Sequence, residues 1–285
     1  MTPDDYCADK TGYPGSDLYY SLLFLPTPPR RAVNAVFAFV RETGEIGDDT
    51  REPDVARAKL DWWRDETARL FSGAPRHPVT RALAPAIAAY GFTREPFLAL
   101  LDAAAQNLGP VRIETFDQLR AHCRQLGAIP QLLAADVFGA QAPATREYAA
   151  TLGVALRLTE IVSDIGHDLR HERLFLPAAD LRRHGVTEAD LLARRHTPAF
   201  EALMAHATQQ ALDLFDQALA LLPPADYPKQ LPGRILAELA RAQLEEIRRD
   251  GYRVLERKLA LTPLRKLWIA YRTRLSNAGR GRHAA

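Results

Sequence analysis

Apolar positions along the chain recur with a helical period. Val33, Val36, Phe37 and Val40 fall at i, i+3, i+4 and i+7, which places them on one helix face. Stretches rich in Ala and Leu follow at 55–72, 79–91, 96–107, 115–138 and 145–170, then at 187–194, 198–222, 233–249 and 263–275. Alternating β-branched runs bounded by turn residues are almost absent, which argues against a sheet. Breaks fall where Pro and Gly gather, at 27–29, 72–78 and 222–233. None is long enough to be a clear linker, and no repeat of fixed period occurs. The pattern predicts an all-α fold, one domain over residues 1–285, with a tail from about 276 that has little to pack and frays. Pro130, inside the 115–138 stretch, predicts a kink or an end to that helix.

Composition narrows the function classes. The 285 residues are 47% hydrophobic and 25% charged, enough for a large core, and the formal net charge of +2 sets up no field that calls for nucleic acid. Cys7 and Cys123 are the only cysteines and no CxxC spacing occurs, so neither a zinc site nor a disulfide framework is expected, and a reducing cytoplasm fits. The opening MTPDDYCADK lacks the basic start and apolar run of a signal peptide. No apolar run approaches the ~18 residues of a spanning helix, so any membrane contact is expected to be peripheral, at the inner face. The basic amphipathic stretch KLALTPLRKLWIAYRTRL reads either as a packed final helix with a basic solvent face or as a helix lying on anionic lipid. There is no GxGxxG or GxxxxGK loop to support a nucleotide fold.

Two acidic segments carry the candidate chemistry. In FAFVRETGEIGDDT, read as a helix, Arg41, Glu45 and Asp48 lie at i, i+4 and i+7 and so share a face. They read as a solvated helix end with an Arg–Glu pair, or as the rim of a buried site. In LGVALRLTEIVSDIGHDLRHERLFLP, Arg157, Glu160, Asp164 and Asp168 form one stripe, with His167 and His171 beside it. Residues 149–165 are mostly Ala, Leu, Val and Ile, so this helix is expected to be buried on more than one face. Carboxylates there are costly unless paired or metal-bound, and Arg157 cannot easily neutralise three. Two such helices opposed across a cavity would bind hard divalent cations through oxygen and clamp a diphosphate. The pair His167 and His171 reads more simply as partly exposed polar residues than as a transition-metal site.

These residues carry a resemblance. GSDLYYSLLFLPTPPRRAVNAVFAFVRE, DWWRDETARLFSGAPRHPVTRALAP, LTEIVSDIGHDLRHERLFLP and LERKLALTPLRKLW resemble, in order and spacing, segments of the squalene/phytoene synthase family, and within it the bacterial presqualene diphosphate synthases of the hopanoid route. The similarity runs from about residue 5 to residue 272. It implies an all-α, isoprenoid synthase-type bundle around a central cavity. It also implies Mg²⁺-dependent head-to-head condensation of two farnesyl diphosphates. By the same resemblance Arg41, Asp48, Asp164 and Asp168 are the catalytic candidates. Glu45, Asp48, Asp49, Glu160, Asp164 and Asp168 are the metal-ligand candidates. Arg41, Arg157, Arg173 and Lys258 would contact diphosphate, and Ser16 and Tyr19 would line the substrate entrance.

The chain departs from the family pattern at several of these places. Gly44 stands where the first Asp of the first motif is expected, Arg157 where the family has Gln, Glu160 where it has Asn, Ser163 where it has Arg, and His167 where it has Glu. Gln106 and Asn107 stand near an expected acidic residue. Glu160 still offers oxygen, whereas Glu45 reaches the place of the missing Asp only from about 100° around the helix. Two rival expectations follow: a binding or stabilising partner of a sister synthase, or a prenyltransferase with a different acceptor.

Overall fold

The computed structural model describes residues 1–11, 15–50 and 52–281, with the side chains of Asp49 and of residues 277–281 outside the description. In chain order the helices are α1 (Pro3–Thr11), α2 (Asp17–Leu22), α3 (Thr27–Gly44), α4 (Ile46–Asp49), α5 (Pro53–Phe71), α6 (Pro78–Tyr90), α7 (Glu95–Gln106) and α8 (Phe116–Cys123). They continue as α9 (Ile129–Val137), α10 (Pro143–Asp168), α11 (Ala178–His184), α12 (Glu188–Leu192), α13 (Pro198–Leu221), α14 (Leu231–Arg249) and α15 (Pro263–Gly281). Prolines mark many of the starts: α3, α5, α6, α10 and α13 each have Pro in the first two positions, where the missing N–H loses no helical bond. Thr115 and Gln118 close α8 with a reciprocal capping box.

The break expected at Pro130 is a widened turn instead. A π-helical turn over Arg124–Ala128 joins α8 to α9, and Pro130 falls in the first turn of α9. The looser turn carries the chain past a residue with no N–H to donate, so the helix is locally re-phased and not ended.

The long helix α10 runs through the core and packs against α9, α13 and α14. A second core gathers α3, α5, α6, α7 and α9, and a smaller one joins α2 to α14 and α15. The π turn crosses α10 with backbone against backbone: a Cβ built on Gly153 would lie 2.1 Å from the Gly127 carbonyl oxygen. Only glycine fits that crossing, and it brings the Arg157 Cβ within 3.1 Å of a Cβ placed on Gly127. Two short strands, β1 (Val111–Arg112) and β2 (Arg173–Leu174), pair in parallel with Val111 opposite Arg173. They were not expected from the chain's pattern, because a two-residue strand has no period to detect.

Candidate active site

The end of α10 sets the site. Its buried flanks include Ile161, Val162 and Ile165, which hold the stripe of Glu160, Asp164 and Asp168 in register. After Asp168 the chain makes one 3₁₀ turn over Leu169–His171, then reverses at Glu172, which takes a left-handed φ of 57°. That reversal returns Arg173 beside the helix it has just left, and pairing with β1 fixes its backbone. The Arg173 side chain is buried, and its Nη2 donates to Asp48 Oδ1 at 2.5 Å and lies 3.7 Å from Asp168 Oδ1. A carboxylate from α4 and one from α10 therefore meet through a single guanidinium.

The neighbouring charges complete a compact cluster. Lys258 Nζ donates to Asp164 Oδ2 at 2.7 Å, and Arg157 Nη1 donates to Glu160 Oε2 at 2.8 Å. Lys258 comes from the loop after α14. That loop can lie on α10 because Gly166 leaves room: a Cβ there would sit 2.5 Å from the Leu255 carbonyl oxygen. The Arg157 guanidinium also stands 5.6 Å from the centre of the Phe175 ring. Burial, together with Arg157, pulls the neighbouring His122 imidazole down to about 4.

The cations do not fully compensate the acids. Burial pushes the Asp168 carboxyl up to about 6; Arg157 and Arg173 pull it down, while Asp164 and Asp48 push it further up. Buried Asp164 Oδ1, Arg157 Nε and Arg173 Nε have no hydrogen-bond partner among the described residues. Buried polar atoms left unpaired are costly, and these three belong to neighbouring residues of one charged cluster. His171 lies 4.0 Å from Asp48, and burial lowers its pKa in spite of that carboxylate. His167 and His171 stack at 4.7 Å and are partly exposed, in keeping with the simpler reading of that pair.

The remaining candidates are engaged by neighbouring groups. Glu45 is held by Lys10 Nζ at 2.8 Å and Arg41 Nε at 2.6 Å, and Arg41 also donates to the Lys10 carbonyl. α3 ends at Gly44 and α4 starts at Ile46, with Glu45 between them, and Asp48 turns to Arg173 while Glu45 is taken by Lys10 and Arg41. Asp49 falls outside the described residues. Ser16 caps α2 by accepting from the Tyr19 amide at 3.1 Å, and the Tyr19 ring stands edge-on to Tyr20, in the layer that α2 makes with α14 and α15. Lys10 was not singled out in the sequence; nothing in an acidic, polar opening marks one lysine as a partner for Glu45.

The donor set suits a hard cation only with help from substrate. Among the described residues no three His, Cys, Asp or Glu side chains lie close enough together to enclose a metal ion. Mg²⁺ usually needs only one or two carboxylates and fills its shell with water and substrate phosphate. Asp164, with its unpartnered Oδ1, and Asp168 one turn on, facing Asp48, meet that requirement. Grooves of about 460 Å³, beside Glu42, Trp62 and Trp63, and about 310 Å³, beside Phe24 and Phe138, open elsewhere on the surface, and neither is lined by Asp164 or Asp168.

A helical bundle in which acids from two helices converge with basic residues around one site has the architecture of isoprenoid synthases. The chain belongs to the squalene/phytoene synthase family, whose model matches residues 13–265. That family consists of transferases that join prenyl groups head to head in isoprenoid biosynthesis. A phytoene synthase of Thermus thermophilus is 33% identical over 249 residues, covering 85% of this chain and 82% of its own. The squalene synthase HpnC of Alicyclobacillus acidocaldarius superposes with a TM-score of 0.76 at 28% identity, over 88% of this chain and 94% of that one. A dehydrosqualene synthase shares the fold with a TM-score of 0.85 at 22% identity, over 97% of both chains.

Proposed function

We propose that this chain condenses two farnesyl diphosphates to presqualene diphosphate, with Mg²⁺, on the route to squalene and hopanoids. The observation that carries the reading is the convergence of Asp48, Asp164 and Asp168 with Arg173 and Lys258. Mg²⁺ held by Asp164 and Asp168, with Asp48 opposite, would supply charge neutralisation for a leaving diphosphate. Arg173 has an unused Nε, and Lys258 is two-thirds exposed, so both can turn donors to an incoming diphosphate. In the reaction the C1–O bond of one substrate breaks and its electron pair leaves with diphosphate. The C2–C3 π electrons of the second substrate form the new bond to that C1, and loss of a proton closes the cyclopropane. Preorganised cations at the leaving group lower the barrier because they stabilise charge that develops only in the transition state.

A second reading rests on Glu45. Its carboxylate is already taken by Lys10 and Arg41, so the first motif contributes Asp48 to the cluster without the neighbour that Gly44 has lost. On that reading the chain binds prenyl diphosphate weakly and serves as a partner to a sister synthase. Incubation of the purified chain with Mg²⁺ and either farnesyl or geranylgeranyl diphosphate, with products identified by mass spectrometry, separates the outcomes. The proposal expects presqualene diphosphate from the shorter substrate. Product from the longer one alone would reassign the substrate, and none from either would favour the partner role.

A further inference from the structure

The last helix, α15, has two apolar faces and only one of them is covered. Ile269, Ala270 and Thr273 are buried in the layer with α2 and α14. On the opposite side Leu264, Leu267, Trp268, Tyr271 and Leu275 are between 39% and 80% exposed. Successive residues turn by about 100°, so these five fall within an arc of about 100° and form one unbroken stripe along three turns. Single exposed hydrophobic residues are ordinary, but an aligned stripe on a helix marks a docking face.

The charges around the stripe identify what docks there. Arg265 and Arg272 lie along one edge, where they also reach Glu246 and Glu238 of α14, and Arg274 lies along the other; α15 itself contains no Asp or Glu. Arg272 and Arg274 are exposed, and Arg274 lies 4.4 Å from the centre of the Phe24 ring. Arginines at both borders of an apolar stripe extend their apolar stems along it and hold their charge at its rim. Trp268 and Tyr271 add rings with one polar tip, the chemistry that settles at the level of lipid headgroups. The stripe also continues inward: Phe24 packs edge-on to Tyr271 at 5.5 Å and lines the 310 Å³ groove with Leu25, Pro29 and Phe138.

We propose that this face of α15 docks the protein on an anionic lipid surface, with the helix axis in the plane of the membrane. The proposal concerns a surface apart from the acidic cluster and stands or falls without substrate. It is tested with the full chain, no prenyl diphosphate, and sedimentation with vesicles of phosphatidylcholine alone or mixed with phosphatidylglycerol. Binding to the mixed vesicles, weakened by salt and much weaker on neutral ones, is expected. Leu264→Ser with Trp268→Ser should abolish it, and Arg265→Gln or Arg272→Gln should each weaken it about fivefold. Thermal melts of each variant confirm that it is folded. Absence of binding to the mixed vesicles, or binding that the folded variants leave unchanged, overturns the proposal. A dimer that Trp268→Ser disrupts, in a chain that ignores vesicles, would assign the face to protein contact instead.

Discussion

Glu66 offers the clearest test of the physical reasoning, because its charge is buried and every contact is visible. Its side chain is wholly buried in α5, yet its oxygens accept from the Arg76 and His77 amides at 2.6 and 2.8 Å, from the Thr80 hydroxyl at 2.5 Å and from Arg69 Nε at 2.7 Å. Burial alone would push the carboxyl up; the hydrogen bonds outweigh it and hold the group at about 2, down from 4.5. At 1.36 kcal/mol per unit, that difference stabilises the fold by about 3 kcal/mol at neutral pH. A depressed carboxyl gives stability that is complete above its unfolded value and is lost as pH falls through its folded one. Glu66→Gln keeps the shape and removes the charge. It should lower the melting temperature by roughly 6–10 °C at pH 7.5. The deficit should shrink to about 2 kcal/mol at pH 3.5, where about a third of the wild-type advantage is gone. Thermal or urea melts at the two pH values read this directly. A variant as stable as wild type at pH 7.5, or a deficit of equal size at both, would refute the reasoning.

Three further outcomes are expected. Gly153→Ala forces a Cβ to within 2.1 Å of the Gly127 carbonyl and should cost about 1–3 kcal/mol or more, seen as a lower urea midpoint; an unchanged midpoint would show that the crossing is loose. Asp168→Asn should raise the melting temperature at pH 7.5 in chelator, because burial and the nearby acids make the ionised group costly, while product formation falls; a stability loss would contradict that assignment. A non-reactive farnesyl diphosphate analogue should raise the melting temperature only when Mg²⁺ is present, and equal stabilisation in chelator would remove the metal from the account.

Much of the fold was legible because its helices are long and periodic. The stretches read at 55–72, 79–91, 96–107 and 198–222 match α5, α6, α7 and α13 to within two residues at each end. What escaped was short or polar. α1 and α2 are too brief and too polar to show a clear stripe, and the β1–β2 pair is two residues long. Within the site, the α10 stripe was readable because buried neighbours fix its phase. The first motif was only half readable. Arg41, Glu45 and Asp48 read as one face, but their spacing does not show that Lys10 and Arg41 hold Glu45 while Arg173 takes Asp48. The role of Glu66 was hidden for another reason: a charge in mid-helix looks like a surface residue until the turn at 76–80 folds over it.

If the cluster around Asp164 performs prenyl transfer, product formation must depend on it. Wild type, Asp164→Ala and Gly44→Asp are each given farnesyl diphosphate with and without Mg²⁺, and presqualene diphosphate is quantified. A Cβ built on Gly44 meets nothing within 4 Å, so the substitution starts without a backbone clash. The account predicts Mg²⁺-dependent product from wild type, about 10²–10³-fold less from Asp164→Ala, and more from Gly44→Asp. Wild type that makes no more product than Asp164→Ala, with Gly44→Asp equally silent, would contradict it and leave the partner role in its place.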